Sequence, residues 1–314
     1  MYKVEKYIEK CIISVVNQQS ISGTDYEIIA INDGSPDKSF ELATKLSDQY
    51  SNLRVLSQDN AGLGATRNRG IREAAGDFVW CVDSDDWIEP HAVSFIISAI
   101  KSKKFDFMTI SARFSDSGKV YNVQKQTNDP HELLKSHTWC HNAQFCVYNK
   151  IFLDENKLEF TSGIYHEDSE FTPRMMYYAK TCYVSNEILY NTYCNPYSIT
   201  QSLNSKKSYD NILISQKLLH FIQKNVNEDD IKEAFFDEMS TLINNAIFHI
   251  TYHQENEKKN FNTHINENIK VLSGIFLSSS KLKFRLEGLL FRYLPFSDYI
   301  KMYNLLRFQL KNHL

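Results

Sequence analysis

The first 114 residues alternate between short apolar runs and amphipathic stretches, and this alternation constrains the fold more than any other feature. Apolar runs at 26–32, 53–56, 77–82 and 105–114 predict strands. Helical spacing of apolar residues predicts helices at 5–18, 39–50, 61–75 and 90–100. Strands that alternate with helices in this way indicate an α/β fold, in which a mostly parallel sheet carries helices on both faces.

Acidic residues stand at the ends of two of these strands. Asp33 ends the first, and Asp83-Ser84-Asp85-Asp86 ends the third. Ligands of open α/β sheets bind beyond the carboxyl ends of the strands. Crowded carboxylates repel one another unless a cation or hydrogen-bond donors hold them, and their hard oxygens suit Mg²⁺ or Mn²⁺. Because Mg²⁺ usually shares its ligands with substrate phosphates, the cluster indicates a phosphorylated ligand; the alternative is a solvated turn that caps the next helix.

Two further segments carry candidate chemistry. Residues 62–67, GLGATR, place two glycines and Arg67 at a predicted helix start, where they could approach and neutralise a diphosphate. A flexible loop with a surface arginine is the alternative. Glu167 and Asp168 form a second acidic point, and such a carboxylate can act as general base on an acceptor hydroxyl. The alternative here is a solvated helix start, where acidic residues complement the helix dipole.

Strand patterns cease near residue 205, and helical periodicity continues from there. The sequence therefore predicts two domains, 1–205 with the α/β pattern and 206–314 helical. The segment 270–314 contains eight Lys or Arg residues and two acidic residues, although the whole chain has a formal net charge of -3. Residues 281–294 predict a basic amphipathic helix, which could lie on an anionic membrane surface or pack on the protein with its basic side in solvent.

Composition and charge exclude several classes of protein. With 42% hydrophobic and 23% charged residues, the chain is globular rather than disordered. Its net charge argues against a general nucleic-acid binder. No apolar run approaches the roughly 20 residues of a spanning helix, and the charged N-terminus is unlike a signal peptide. Six cysteines without a C-x-x-C pair predict free thiols. We therefore expect a cytoplasmic protein, with 270–314 as the candidate contact to the inner face of the cell membrane.

The segments also have a recognisable order along the chain. They occur as YKVEKYI at 2–8, EIIAINDGS at 27–35, NAG at 60–62, ATRNRG at 65–70, GD at 76–77, VDSDDW at 82–87, YNK at 148–150, ED at 167–168 with Phe171, and Tyr193 with PYSIT at 196–200. This ordered set resembles family 2 glycosyltransferases with the GT-A fold, the inverting, nucleotide-sugar-dependent enzymes of bacterial surface polysaccharide assembly. The resemblance covers residues 2 to about 200.

The resemblance implies a role for each matching residue. It assigns nucleotide-sugar binding to Tyr2, Glu5, Asp33, Asn60, Arg67, Asp83 and Ser84. Asp33 would hydrogen-bond the uracil edge of a UDP-sugar, and Arg67 would contact the diphosphate or the base. Asp83 and Asp85 would hold Mn²⁺ or Mg²⁺ at the diphosphate. Asp168 would be the general base, with Glu167 as the next candidate.

The implied reaction is an inverting transfer to a hydroxyl of a glycan or polyprenyl-linked acceptor, and two alternatives compete with it. Family members begin with an apolar strand, whereas this sequence starts at Met1-Tyr2-Lys3 and lacks that strand. A scaffold protein of the same fold that binds the nucleotide-sugar without turnover is therefore the first alternative. A dehydrogenase or nucleotidyltransferase would match the strand–helix alternation but not the set of aspartates. The sequence has no Q-x-x-R-W motif, which argues against a processive membrane synthase.

Overall fold

A computed structural model describes residues 1–139, 141–194, 203–296 and 298–300. The chain divides into two compact units, Met1–Ser202 (unit 1) and Leu203–Leu314 (unit 2). The sequence block at 196–200 and the basic residues within 301–314 lie outside the described residues.

Helices and strands alternate in the first part of unit 1. In chain order they are α1 (Ile8–Val16), β1 (Ile28–Asp33), α2 (Ser39–Ser47), β2 (Leu53–Gln58), α3 (Leu63–Glu73) and β3 (Phe78–Trp80). Every element predicted for this part from hydrophobic periodicity is present, with its ends shifted by a few residues.

The second part of unit 1 contains shorter and less regular elements. They are β4 (Trp87–Ile88), α4 (Ala92–Ser102), β5 (Phe107–Phe114), β6 (Val120–Tyr121), α5 (Pro130–Ser136), a 3₁₀ turn at Ala143–Phe145, β7 (Cys146–Asn149), α6 (Lys150–Glu155), α7 (Glu167–Tyr178) and β8 (Cys182–Thr192).

The strands of unit 1 form two sheets. In the first, β1 and β2 pair in parallel, with Ile28 opposite Leu53 and Asp33 opposite Gln58. The second has the order β3-β7-β5-β8-β4, and β6 pairs with β5 outside this path. Asp33 is the last residue of β1 and Asp83 lies three residues after β3, so both acidic residues lie at the carboxyl ends of strands, as predicted.

The α/β class is confirmed, but the prediction of a mostly parallel sheet is wrong for the second sheet. There β5 and β8 are parallel, whereas β3–β7, β5–β7, β4–β8 and β5–β6 are antiparallel. The prediction was drawn from strands separated by helices, which favour parallel neighbours. The antiparallel partners β4, β6 and β7 are two to four residues long, too short to show a sequence period.

Residues before α1 contact the free edge of β1. The Met1 amine donates to the Ile31 carbonyl at 2.6 Å, and the Asp33 amide donates to the Met1 carbonyl at 3.0 Å. This pair of hydrogen bonds is the pattern of one parallel rung. Residues 1–7 contain no strand, and no ladder joins β1 to β3 within the described residues.

Two apolar clusters fix these elements in unit 1. Ile8 and Ile12 of α1 pack with Ala43 and Leu46 of α2 against the first sheet. In the larger cluster, α4 packs against β5, β7 and β8, and the side chains of Met108 and Ile110 are fully buried. Burial of helix faces on both sheets holds the strand ends in place, and the candidate site lies at those ends.

Unit 2 is helical in all of its described elements. It contains α8 (Lys206–Asn225), α9 (Asp229–Ile250), α10 (Glu255–Leu277) and α11 (Leu282–Tyr293). Aromatic side chains fill its core; Phe276 of α10 and Phe291 of α11 meet edge to face with ring centroids 5.5 Å apart. Among the described residues, no helix combines the length and apolar character required to cross a bilayer.

Candidate active site

The chain leaves β3 in a tight turn that β8 holds in place. The Asp86 amide donates to the Asp83 carbonyl at 3.0 Å, which closes the turn. The Tyr190 hydroxyl of β8 accepts from the Asp83 amide at 3.1 Å and donates to Asp86 Oδ2 at 2.8 Å. Asp86 Oδ1 accepts from the Tyr193 amide at 2.7 Å. Ser84 and Asp85 lie between these anchored positions, partly exposed to solvent.

The acidic side chains of this turn are crowded. Burial raises the pKa of Asp86 to about 8, and the charges of Asp83 and Asp85 add to the rise. Burial also raises the pKa of the Cys11 thiol, with all three aspartates acting in the same direction. The Cys11 sulfur lies 3.6 Å from the Asp83 carbonyl oxygen, at the centre of this crowding. A bound cation would relieve the repulsion between these carboxylates.

Helix α3 delivers Arg67 to the same place. A Cβ on Gly64 would lie 2.7 Å from the Thr161 carbonyl, so glycine lets the start of α3 pack directly on that segment. Asn68 exchanges two hydrogen bonds of 2.8 Å with the Phe160 backbone and holds this contact. Arg67, buried beside Phe160, donates to Asp83 Oδ1 at 2.9 Å and to Glu167. Burial lowers the pKa of Arg67, but Asp83 and Glu167 outweigh it and raise the pKa.

The first turn of α7 holds two acidic residues in different environments. Glu167 is buried, and burial raises its pKa to about 7 although Arg67 acts in the opposite direction. Asp168 is partly exposed, and one of its oxygens accepts from the Ser169 amide at 2.8 Å. Its charge acts on both Arg67 and Glu167. The helix start therefore directs one carboxylate inward to Arg67 and leaves its neighbour accessible to solvent.

The carboxylate of Asp33, at the end of β1, accepts hydrogen bonds from other residues of the chain. Asp33 Oδ1 accepts from Gln58 Nε2 at 2.7 Å and from the Ala61 amide at 2.9 Å, and Oδ2 accepts from the Gly62 amide at 3.0 Å. Asn60 Nδ2 donates to the Asp33 carbonyl at 2.9 Å. These bonds join the loops after β1 and β2. A ligand that contacts Asp33 directly would have to share its carboxylate with three donors of the chain.

Two other predicted residues lie beside this loop. Glu5 Oε2 accepts from the Lys38 amide at 3.1 Å, so it holds the start of α2. Tyr2 is 44% exposed, and the ammonium of Lys3 lies 5.3 Å from its ring centroid. The side chain of Tyr2 is therefore accessible to a ligand, whereas the carboxylate of Glu5 is hydrogen-bonded to the start of α2.

The three acidic regions lie around Asp83. Arg67 donates to Asp83 and to Glu167, the residue before Asp168, so the start of α7 meets the β3 turn at this guanidinium. Asp33 accepts from the amide of Gly62, directly before the helix α3 that carries Arg67. Asp85 lies two residues after Asp83 in the same turn. Side chains from β1, the β3 turn and α7 therefore converge on one edge of unit 1, where the carboxyl ends of β1 and β3 also lie.

Comparison with known proteins identifies the chain. The model of the family described as "Glycosyl transferase family 2" matches residues 1–159. The chain belongs to glycosyltransferase family 2. This match covers the whole region that contains Asp33, Arg67 and the Asp83–Asp86 turn.

Curated relatives of this family 2 glycosyltransferase come from bacteria. It is 28% identical over 254 residues to the putative glycosyltransferase EpsH of Bacillus subtilis strain 168, covering 77% of this chain and 72% of that protein. It is 30% identical over 194 residues to the poly(ribitol-phosphate) beta-glucosyltransferase of Bacillus spizizenii, covering 60% of this chain and 30% of that protein. The chain is thus an enzyme of the glycosyltransferase class, as predicted.

Solved structures establish the GT-A fold. Residues 1–349 of S. aureus TarS in complex with UDP-GlcNAc superpose with a TM-score of 0.76 at 18% identity, covering 96% of this chain and 87% of that one. The mannosyltransferase PcManGT from Pyrobaculum calidifontis, in complex with GDP-Man and Mn²⁺, gives a TM-score of 0.53 at 10% identity, covering 97% of this chain and 85% of that one. The predicted family and fold are confirmed.

The chemistry of the side chains in the β3 turn is compatible with a divalent metal ion. Within the described ranges, no three His, Cys, Asp or Glu side chains are grouped as a ready-made metal site. Mg²⁺ usually takes one or two carboxylates and completes its shell with water and substrate phosphates. Asp83 and Asp85 provide two hard carboxylates in a turn where negative charge is already in excess.

Sequence patterns missed several residues that build this site. Asp86 was seen as part of an acidic cluster, but its partners Tyr190 and Tyr193 lie more than a hundred residues away along the chain. Cys11 gave no signal, because a lone cysteine on an apolar helix face is typical of a core position. The pairing of Arg67 with Glu167 also spans a hundred residues.

Proposed function

We propose that this family 2 glycosyltransferase is an inverting enzyme that moves a sugar from a UDP-sugar to a hydroxyl of a glycan or lipid-linked glycan acceptor, in the synthesis of a cell-surface, capsular or exopolysaccharide. The convergence of Asp33, Asp85 and Asp168 around Asp83 carries the proposal, because it brings carboxylates from β1, the β3 turn and α7 to one region of unit 1. The relatives include a poly(ribitol-phosphate) beta-glucosyltransferase, which supports transfer of a sugar to a surface polymer. TarS was solved with UDP-GlcNAc and with UDP, which supports a UDP-linked donor.

The donor would bind along the loops that follow β1, β2 and β3. Tyr2 and Asn60 would lie at the base, and Asp33 would shape the Asn60–Gly62 loop while its remaining acceptor capacity faces the nucleotide. Glu5 would support this region through the start of α2. Ser84, partly exposed in the β3 turn, would lie near the ribose and diphosphate. Mg²⁺ or Mn²⁺ would be held by Asp83 and Asp85, and when bound it supplies charge neutralisation for the leaving diphosphate.

Arg67 would act chiefly by holding other groups. Its two terminal nitrogens already donate to Asp83 and Glu167, and its side chain is only 6% exposed. Its Nε has no hydrogen-bond partner among the described residues but is buried, so a diphosphate would reach Arg67 only if the surrounding side chains moved apart. We therefore propose that Arg67 orients the Asp83 carboxylate toward the diphosphate and opposes the burial that raises the pKa of Glu167.

Asp168 would be the general base. Its carboxylate is partly exposed, unlike that of the buried Glu167 beside it, so it is accessible to an acceptor hydroxyl. It would take the proton of the acceptor hydroxyl while that oxygen attacks the anomeric carbon. The bond from this carbon to the diphosphate oxygen would break, its electron pair would leave with UDP, and the configuration at the anomeric carbon would invert.

Two measurements test the proposal. The purified protein is incubated with a panel of UDP-sugars and glycan acceptors, with Mn²⁺ or with a chelator, and released UDP is quantified. Proton NMR of the product then gives the anomeric configuration, which should be opposite to that of the donor. Retained configuration would contradict the mechanism. Calorimetric binding of UDP without turnover on any donor and acceptor would instead favour a nucleotide-sugar-binding scaffold.

A further inference from the structure

Helix α11 of unit 2 presents large apolar side chains to solvent. Leu282, Leu286, Leu289 and Tyr293 are 65%, 52%, 44% and 75% exposed. Their spacing of four, three and four residues places all four on one face of the helix. We call these four residues the outer stripe. A surface helix normally directs polar residues outward, so a continuous apolar stripe in this position needs an explanation.

The outer stripe is not the core-facing side of α11. Phe284, Gly288 and Phe291 occupy the opposite side of the helix and are buried. Phe284 and Phe291 pack on Phe276 of α10, with ring centroids 6.2 and 5.5 Å apart. A Cβ on Gly288 would lie 2.8 Å from that of Phe276, so the two helices are in close contact along this side. The hydrophobic requirement for packing α11 is therefore met without the outer stripe.

The start of α11 is also firmly anchored. The buried Asp237 of α9 accepts from the Ser279 hydroxyl, and from the Ser280 amide and hydroxyl at 3.0 and 2.7 Å. These bonds position the residues directly before the helix. The outer stripe is thus displayed on a rigid element rather than on a loose end.

Basic side chains flank the outer stripe. Every strongly exposed charged residue of 281–293 is basic: Lys281, Lys283, Arg285 and Arg292. The acidic residue of α11, Glu287, is half-buried and accepts from Asn244 Nδ2 at 2.6 Å. The outward face therefore combines a narrow apolar strip with positive charge on both sides.

We propose that this face of α11 docks on an anionic lipid bilayer, with the outer stripe inserted at the level of the headgroups and acyl chains. An interfacial helix binds through buried apolar area together with attraction of Lys and Arg to anionic lipids, and α11 offers both on one face. A nucleic acid would pair with the cations but leave the leucines in water. A second copy of this chain on a two-fold axis would bring the two sets of cations together. An anionic bilayer binds both the apolar outer stripe and the basic side chains beside it.

Vesicle sedimentation of the full chain tests this docking. The vesicles are phosphatidylcholine alone or with phosphatidylglycerol, at low and at high salt. The wild-type protein should sediment with the anionic vesicles and be released by salt, because screening weakens attraction between surface charges. The variant Leu282→Gln/Leu286→Gln/Leu289→Gln should bind at least about tenfold more weakly. The variant Lys283→Gln/Arg285→Gln should lose about as much, since each basic residue near such a surface contributes roughly a fivefold factor.

A matched control distinguishes docking through the outer stripe from nonspecific hydrophobic binding. Ile151 in unit 1 is 59% exposed, comparable with Leu286, but has no place in the outer stripe. Ile151→Gln should bind the vesicles as the wild type does, whereas Leu286→Gln alone should bind more weakly. All the substituted side chains are exposed, so unchanged circular dichroism and melting temperature are expected and verify that each variant is folded.

Three results would overturn the proposal. Equal sedimentation of the wild-type and triple variants would remove the outer stripe from any lipid contact. Equal binding to vesicles with and without phosphatidylglycerol would remove the role of the cations. Absence of vesicle binding, together with a dimer in analytical ultracentrifugation that the triple variant dissociates, would assign the face to a second copy of the chain. None of these outcomes depends on sugar transfer, so the docking and the proposed reaction are tested separately.

Discussion

The loop after β1 and the turn after β3 are both acidic, but the pKa of a carboxyl group is lowered in the first and raised in the second. Partial burial alone would raise the pKa of Asp37, in the first loop, but hydrogen bonds from Ser35 and Ser39 outweigh it and lower the pKa to about 2. In the second, burial and neighbouring aspartates raise the pKa of Asp86 to about 8. The same side chain is thus stabilised as an anion in one loop and destabilised in the other.

This difference distinguishes carboxylates that the chain's own donors hold from carboxylates that repel one another. Asp33 and Asp37 accept hydrogen bonds from backbone amides, and Asp37 also accepts from the hydroxyls of Ser35 and Ser39. In the β3 turn, burial is the main cause of the raised pKa of Asp86, and the charges of Asp83 and Asp85 add to it despite two hydrogen bonds to the Asp86 carboxylate. A cation bound beside these aspartates would offset their mutual repulsion.

The largest expected effect is at the first turn of α7, where an exposed carboxylate, Asp168, lies beside a buried one, Glu167. Asp168→Asn should lower kcat about 10²- to 10⁴-fold, because the acceptor proton loses its destination, while UDP binding stays close to wild type. The rate of UDP release gives kcat, and calorimetric titration with UDP gives its affinity. An Asp168→Asn enzyme with wild-type turnover would show that the base lies elsewhere.

Glu167→Gln is the matched comparison. Glu167 is buried and paired with Arg67, so loss of its charge should lower stability, by roughly 3 kcal/mol for a broken buried pair, and reduce turnover less than Asp168→Asn does. Chemical denaturation of both variants measures this. If turnover is lost in Glu167→Gln but kept in Asp168→Asn, the base is Glu167 and the division of roles in α7 is reversed.

The second prediction concerns Asp33, whose carboxylate joins the loops after β1 and β2. Asp33→Ala removes three hydrogen bonds to a charged acceptor and should lower the free energy of unfolding by about 3 kcal/mol. Asp33→Asn keeps one acceptor oxygen and should lose less. A stable Asp33→Ala protein that binds UDP more than about tenfold more weakly would show instead that Asp33 contacts the nucleotide directly.

Gly34 makes this joint possible. It follows Asp33 with a φ of +64°, a left-handed conformation that L side chains rarely adopt. A Cβ at this position would also lie 2.8 Å from the Asn60 backbone nitrogen. The Asp-Gly pair therefore allows the two loops to approach each other, and it explains in local terms why this position carries glycine.

Strand ends were predictable from the sequence, but the partners of their carboxylates were not. Apolar runs located Asp33 and Asp83 at the ends of β1 and β3, because hydrophobic periodicity is local. The pairing of Arg67 with Glu167 and of Asp86 with Tyr190 depends on how distant segments pack. No pattern along the chain encodes that packing. For the same reason the antiparallel β7, only four residues long, was not foreseen between β3 and β5.

In unit 2 as well, the sequence predicted a helix but not which of its sides is buried. The sequence predicted a basic amphipathic helix at 281–294, and α11 occupies Leu282–Tyr293. Composition alone left open whether its leucines face the core or solvent. The structure separates them, because Phe284 and Phe291 pack inward while Leu286 is exposed. The inner side of α11 and the outer stripe are both hydrophobic, so a periodicity count does not show which of them is buried.

The third prediction tests the turn after β3. Asp85→Ala should weaken binding of UDP in the presence of Mn²⁺ at least about tenfold and leave the weaker binding in chelator unchanged, since only the metal-dependent part is lost. Calorimetric titrations in Mn²⁺ and in chelator give both values. Asp116→Ala, at an exposed aspartate of the β5–β6 connection, is the control and should match the wild type. Equal loss in both conditions would place Asp85 outside the metal shell.

The smallest expected effect is at Asp37, and it is visible only as a dependence on pH. The pKa of Asp37 is about 2 in the folded protein against 3.8 for an ordinary aspartate. The unfolded chain therefore takes up this proton at a higher pH than the folded one. The stability that Asp37 contributes is present above about pH 4 and is lost as the pH falls toward 2.

Asp37→Asn isolates this contribution from the other carboxylates, which titrate in both proteins. At neutral pH the wild type should be more stable by about 1 kcal/mol, a value reduced from the full shift because Asp37 is partly exposed. The gap should close between pH 4 and pH 2 in denaturant titrations. A gap that stays constant over this range would mean that the hydrogen bonds from Ser35 and Ser39 do not favour the ionised form. The contrast between the two loops would then reduce to burial at Asp86 alone.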